Sequence, residues 1–398
     1  MMKALFVTAT AQTLANFHTI KHLLDNGTTF DNLVIITTDH ARKNNWHLQL
    51  NRLLTDTNPD SAFTVEMLFF KNGIEEHDVT AMEGLLLSWI TEHNINEALF
   101  NITGGTKLIS IAQDRLAQKH PQLAQCVYQS MGTQQLAWYG KSVPHVEKIA
   151  SATEIEIYLK AYGYTLGTKG QSLLKIPARL FYYVKEMERF LQEDFERAQK
   201  LASSINYHAC QALEDIKNQQ DVDQFISQFN KVDRTRFSVW LNQLSALDEA
   251  LFDYDDNTGR IVWHDAEDVA FCKGNWFELL VAFWYFEASN YQLRNIHVGL
   301  EVRKNNSPNE ADVAFVHKGV FYFVECKTND WKGKITEANR TISHIDSTGD
   351  MAGISAKKLL VSLFNVDDKT RQAAKVRNVR IIAGKEVLNK ALYSQSVA

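Results

Sequence analysis

Cysteine is scarce in this chain: four in 398 residues (Cys126, Cys210, Cys272, Cys326), scattered and without a CxxC pair. That argues against a disulfide scaffold or a zinc cluster and fits a reducing compartment. Long apolar runs are missing too. The longest, Leu279 to Phe286, falls far short of the ~20 residues a membrane span needs. The opening MMKALFVTAT has one lysine followed by strand-like residues, with no signal-peptide core or small-residue cleavage site, so the expected location is cytoplasmic. Prolines number five, and no Pro- or Ser-rich linker, internal repeat or low-complexity tract marks a boundary. With 45% hydrophobic and 22% charged residues, the chain is neither disordered, collagenous nor coiled-coil as a whole. At ~150 residues per domain, its length suggests two or three domains.

Excess basic charge is also lacking: 42 Lys+Arg against 47 Asp+Glu give a net charge of −5. Its distribution is uneven. Residues 151–326 carry 18 basic and 26 acidic residues, whereas residues 327–398 carry 13 and 7. A basic end is the footprint expected for binding phosphates, and equally a solvated helix face; the count alone does not choose.

What is present in residues 1–150 is alternation. Strand-like runs (Ala4–Val7, Leu33–Thr37, Phe63–Phe69, Ala98–Ile102, Cys126–Gln129) alternate with helical spacings at Ala15–Leu24, Val79–Ile90 and Leu108–Leu116. The pattern predicts a parallel sheet covered by helices, with ligands bound beyond the carboxyl ends of its strands. The loop after the first strand, Thr8-Ala9-Thr10-Ala11-Gln12-Thr13, is rich in hydroxyls but lacks glycine, which disfavours a dinucleotide fingerprint. After the fourth strand comes Asn101-Ile102-Thr103-Gly104-Gly105-Thr106-Lys107, without Walker A spacing. Its glycines permit close backbone approach, Thr106 can cap the next helix, and the free N–H groups with Lys107 favour an anion. A plain helix-capping turn is the other reading.

This NxTGGTK loop in a Rossmann-like unit resembles that of the CRISPR-associated Rossmann-fold (CARF) domain. The resemblance implies a site for cyclic oligoadenylate built from Asn101, Thr103, Gly104, Gly105, Thr106 and Lys107, joined by Thr10, Gln12 and Asn16 of the first loop. It also implies a homodimer, because the messenger in that family spans two such domains.

Residues 151–265 read as a helical connector: Ile155–Ala161, Ala178–Gln199, Tyr207–Lys217 and Phe237–Leu247 show 3.6-residue periodicity. A hairpin turn follows at Asp255-Asp256-Asn257-Thr258-Gly259, giving a winged-helix-like arrangement or a plain linker. Asp253, Asp255 and Asp256 lack EF-hand spacing and read as an acidic turn.

From Gly274 the order is helix, strand, strand, strand, helix, strand, with Leu359–Leu363 as the final core strand. Helix Trp276–Ala288 carries Glu278 on its apolar stripe, where a carboxylate is costly unless paired or metal-bound. Asp312 lies on one strand; Glu325 and Lys327 share a face at the end of the next. Carboxylates meeting there suit Mg²⁺ or Mn²⁺, which can polarise a phosphodiester, with lysine offsetting developing charge. Asp312…Glu325-Cys326-Lys327 with the helical Glu278 resembles the PD-(D/E)XK nuclease superfamily, although Ala311 stands where proline is usual. The resemblance implies Glu278, Asp312, Glu325 and Lys327 as catalytic residues and the three carboxylates as metal ligands. Beyond it, Lys332, Lys334, Arg340, His344, Lys357 and Lys358 either face a nucleic-acid backbone or form a solvated surface.

The expected architecture is therefore α/β: a CARF-like sensor over 1–150, a connector over 151–265 and a restriction-endonuclease-like domain over 266–398. Its order resembles the cyclic-oligoadenylate-activated CRISPR ancillary nucleases. That implies cyclic tetra-adenylate as activator, and single-stranded RNA, single-stranded DNA or supercoiled DNA as substrate. The alternatives are a ligand-responsive DNA-binding regulator with a degenerate nuclease fold, and a constitutive restriction-type nuclease.

Overall fold

Apolar runs too short for helices become strands when both of their faces are covered, and the N-terminal third illustrates this. A computed structural model describes residues 1–59, 62–70, 77–130, 134–140, 145–149, 154–218, 225–304, 307–349, 353 and 356–397. The chain divides into two units, Met1–Thr165 and Leu166–Ala398. In the first, β1 (Lys3–Thr8), α1 (Thr13–Asp25), β2 (Asn32–Thr38), α2 (Asp39–Lys43), α3 (Trp46–Thr57), β3 (Thr64–Phe70), α4 (Val79–Glu92), β4 (Glu97–Asn101), α5 (Lys107–Lys119) and β5 (Ala124–Ser130) follow the expected alternation. Then come β6 (Gln135–Tyr139), β7 (His145–Lys148) and α6 (Ile155–Ala161).

The sheet order is β3-β2-β1-β4-β5-β6-β7. The first five strands are parallel, but β6 and β7 add antiparallel, so the sheet is mixed rather than purely parallel. Phe6 and Phe100 pack against Met82, Leu86, Ile109 and Leu116 from α4 and α5. Leu5 and Val7 alternate to the opposite face. The chain winds from β1 outward to β3 and then returns to pair β4 with β1. This switch in strand order brings the loops after β1 and β4 side by side.

The second unit begins with β8 (Gln171–Ser172), α7 (Ala178–Glu193) and α8 (Phe195–Asn218). The helix expected over Ala178–Gln199 instead breaks at Asp194, whose backbone is extended (φ −146°, ψ 93°). The Asp194 carboxylate accepts the Arg197 N–H (3.1 Å), starting a new helix that nothing interrupts before Asn218. Next come β9 (Phe225–Gln228), α9 (Lys231–Ser245), β10 (Phe252–Asp255) and β11 (Arg260–Trp263), with strand order β9-β11-β10. The hairpin and its acidic turn are as expected; β9, only four residues long, was not. Helix α10 (Ala266–Ala270) leads through a turn with non-helical backbone at Gly274 into α11 (Trp276–Ala288).

Strands β12 (His297–Lys304), β13 (Ser307–His317) and β14 (Val320–Lys327) form an antiparallel meander. Lys318 (φ 48°) and Gly319 (φ 74°) make a two-residue turn between β13 and β14, with the left-handed backbone such hairpins require. After α12 (Ile335–Gly349), β15 (Lys357–Ser362) runs parallel to β14; α13 (Asp368–Val376), β16 (Val379–Ala383) and α14 (Lys390–Val397) complete the unit. The last core strand is thus Val379–Ala383 rather than Leu359–Leu363, because a further helix carries the chain across to pair beyond β15.

Helix α11 inserts Trp276, Phe277, Val281 and Tyr285 against Val313, Phe315, Tyr322 and Val324 of the sheet. Each buried large side chain contributes about 1.5–3 kcal/mol. The same core continues through α7, α8 and α9, so residues from Leu173 to Val397 share one interior. Among the described residues, no helix is long and apolar enough to cross a membrane.

Burial holds His18 neutral in the first unit, lowering its pKa from 6.5 to about 4. The unfolded chain takes up this proton first as pH falls, so stability is full above pH 6.5 and declines towards pH 4. Urea unfolding of wild type at pH 7 and pH 5 is expected to show a loss of about 2 kcal/mol that His18→Leu lacks. Equal pH slopes in the two proteins would contradict this.

Candidate functional site

Two places carry chemistry. The first lies where the meander meets the parallel strands. Glu325 and Lys327 alternate to one face at the end of β14, and Asp312 faces them from β13. Lys327 Nζ lies 2.5 Å from Glu325 Oε1 and 3.4 Å from Asp312 Oδ2, while the Cys326 N–H donates to the same Asp312 oxygen at 2.7 Å. Asp312 and Glu325 are buried, and Lys327 is half-buried. Burial first, then the charge of Asp312, pushes the Glu325 pKa up to about 7, although Lys327 pulls it back. Burial opposes the charge on Lys327, but Asp312 and Glu325 outweigh it and hold the ammonium above its ordinary range.

Glu278 joins the group through its charge. Burial, then Asp312 and Glu310, hold its carboxyl well above the usual range. Among the described residues, no three His, Cys, Asp or Glu side chains gather as a ready metal cluster. Asp312 and Glu325 nevertheless offer oxygen-only donors converging on one positive charge. That charge falls short of theirs, since Glu325 rises to about 7. Such a donor set fits a hard divalent cation. Glu310, absent from the sequence reading, stands two residues before Asp312 and therefore on its face; the period-two pattern could have found it. Arg340, His344, Lys332, Lys334 and Lys357 are exposed, whereas Lys358 pairs with Asp346 at 2.5 Å. Trp331 pins the loop after β14 by donating to the Ser362 hydroxyl (2.7 Å).

The second place is the strand-order switch of the first unit, and its residues fall into two tiers. Asn16 and Asn101 are fully buried. Asn101 Nδ2 donates to Asn16 Oδ1 (3.0 Å), and Asn16 Nδ2 donates to the Thr8 carbonyl (2.7 Å). Thr103 Oγ1 donates to Asn101 Oδ1 (2.6 Å) and accepts the Gln129 N–H (2.8 Å). These side chains clasp the two loops together, and Gln129 is a member that sequence reasoning missed. Gly104 and Gly105 press against the first loop: a Cβ on Gly105 (φ 100°) would lie 2.8 Å from Thr8 Cγ2. Gln12, Gly105, Thr106 and Lys107 form the exposed tier, with Thr10 half-buried beside them. Thr106 caps α5 by accepting the Ile109 N–H (3.4 Å), leaving a helix N-terminus and a lysine open to an anion.

Residues 6–162 match the family model described as the Card1 CARF domain, and residues 265–393 match that of the Card1-like endonuclease domain. Among solved structures, protein VC1899 from Vibrio cholerae has the same fold over 100% of this chain and 98% of its own, at 17% identity and a TM-score of 0.78. Can2 from Sulfobacillus thermosulfidooxidans, solved in complex with cyclic tetra-adenylate, covers 98% of both chains at 15% identity and a TM-score of 0.70. No curated protein matches the chain with significance.

Removing one member of the clasp leaves its buried partners unpaired, at a cost of about 1–3 kcal/mol. Asn101→Ala is expected to lower the unfolding free energy of the first unit, measured by urea titration, by that amount, whereas Lys107→Ala, at the surface, leaves it unchanged. A silent Asn101→Ala would show that the clasp does not hold the loops.

Proposed function

Because this chain joins a Card1-type CARF domain to a Card1-like endonuclease domain, we propose that it is a metal-dependent nuclease activated by cyclic oligoadenylate in type III CRISPR defence. Cyclic tetra-adenylate is the proposed ring, supported by its presence in the Can2 complex. The observation that carries the catalytic half is Lys327 between the carboxylates of Asp312 and Glu325 on adjacent strands.

Mg²⁺ or Mn²⁺ held by Asp312 and Glu325, with Glu278 alongside, would polarise a phosphodiester and acidify an attacking water. The protein's own groups do the rest. Without a cation, burial and Asp312 raise the Glu325 pKa to about 7, and a divalent cation held there would return it to the ionised form a ligand needs. Lys327 stays protonated and offsets negative charge developing on the phosphate. Asp312 holds the end of β14 through the Cys326 N–H, so both of its neighbours keep their aim. Exposed Lys332 and Lys334, on the loop pinned by Trp331, favour a phosphate backbone there. Single-stranded RNA, single-stranded DNA and supercoiled DNA are the proposed substrates.

In the first unit, Thr10, Gln12, Gly105, Thr106 and Lys107 are the proposed contacts with the messenger. Asn16, Asn101 and Thr103 act beneath them by fixing the loops. A ring spanning two copies requires a homodimer, which completes the proposal.

Glu325→Ala and Lys327→Ala are each expected to lower cleavage at least 10²-fold, with cyclic tetra-adenylate binding retained in calorimetry. Near-wild-type cutting by either variant would remove the catalytic assignment. Lys107→Ala loses a charge-assisted contact and is expected to raise the messenger concentration for half-activation roughly tenfold. An unchanged activation curve would disconnect this loop from regulation.

A further inference from the structure

The end of β14 is held unusually. Its ladder to β13 ends at Val313 opposite Val324, one residue before Glu325. Beyond that point the Asp312 side chain takes the Cys326 N–H on one side. On the other, the parallel ladder to β15 continues to Lys327 opposite Ser362. Thr328, the next residue, is secured from a distant part of the chain. Its hydroxyl lies 2.9 Å from the side-chain amide of Asn206 on α8. With the amide oxygen accepting that hydroxyl, the amide nitrogen donates to the carbonyls of Ala202 (3.0 Å) and Cys272 (2.8 Å).

Asn206 therefore ties three segments together: its own helix, the residue after Lys327 and the turn that launches the Glu278 helix. Two turns earlier on α8, Gln199 reinforces the junction by donating to the Leu363 carbonyl (2.6 Å), while the Leu363 N–H donates to the Lys327 carbonyl (2.8 Å). Lysine has a long flexible stem, so where its ammonium arrives depends on how firmly its backbone is aimed. A misplacement of about 1 Å can cost two orders of magnitude in rate.

We infer that Asn206 is a positioning residue for the nuclease site, acting through the Thr328 hydroxyl to set where Lys327 delivers its charge. The inference rests on the nuclease reading. Thr328→Val removes the hydroxyl while keeping the side-chain shape, and Thr328→Ser keeps the hydroxyl. The test measures cleavage by the full-length protein with Mn²⁺ and cyclic tetra-adenylate for wild type, both Thr328 variants, Asn206→Leu and the Asn206→Leu/Thr328→Val double variant.

Thr328→Val is expected to lose roughly tenfold or more in kcat, with KM, the affinity for Mn²⁺ alone and the melting temperature retained. Thr328→Ser keeps wild-type kcat. Asn206→Leu, which also removes the bonds to Ala202 and Cys272, loses at least as much as Thr328→Val, and the double variant loses no more than Asn206→Leu, because the bond to Thr328 is already gone. Wild-type kcat in Thr328→Val, no recovery with serine, or losses that multiply in the double variant would each overturn the inference while the nuclease reading stands. A wild-type protein that cuts nothing would overturn that reading, and this inference with it.

Discussion

A single ammonium organises the second unit's chemistry. Lys327 lies within 3.4 Å of two buried carboxylates, those of Asp312 and Glu325. Taking a carboxylate out of water costs several kcal/mol unless a partner compensates, and here one cation serves two anions. The compensation is incomplete, as the raised Glu325 pKa of about 7 shows. Much of the surrounding fold works to keep this arrangement: the two-residue turn that aligns β13 with β14, the parallel ladder to β15 and the Asp312 bond to the Cys326 N–H. Two carboxylates around one ammonium are the oxygen donors that the proposed divalent cation requires.

The loop junction of the first unit is built on the opposite principle, from neutral side chains hydrogen-bonded to one another. Asn16, Asn101 and Thr103 bond to one another between two adjacent strand ends and leave Gln12, Thr106 and Lys107 at the surface. A buried polar network of this kind is rigid when all its members are paired. That rigidity presents the α5 N-terminus in a fixed orientation, as the proposed binding of a large anionic ring requires.

Much of this was legible in the sequence, for identifiable reasons. Strand β14 could be read to the residue because five apolar positions, Val320 to Val324, run into a charged pair at period two. Glu278 stood out because a carboxylate interrupts the apolar stripe of α11. The NxTGGTK loop stood out by its resemblance to the CARF motif, since paired glycines and a capping threonine also make plain helix-capping turns. What could not be read depends on partners remote in sequence. Asn206 meets Thr328 across 122 residues, and no local pattern marks an asparagine for that task. Asn16 and Asn101 could be placed at the loops, but their role beneath the surface required seeing both strand ends together. The break at Asp194 was missed because one capping carboxylate outweighed continuous helical periodicity. Whole-chain charge misled in a different way. The acidic excess lies largely in residues 151–326, which include Glu278, Asp312 and Glu325, whereas residues 327–398 carry 13 basic residues against 7 acidic.

The central claim is that a messenger-binding unit controls a metal-dependent cutting unit in one chain. It is tested most directly by incubating the purified protein with Mn²⁺ and labelled RNA and DNA, with and without cyclic tetra-adenylate. Cleavage is expected only when both metal and messenger are present. Cleavage that ignores the messenger, or binding of nucleic acid without any cleavage, would contradict it.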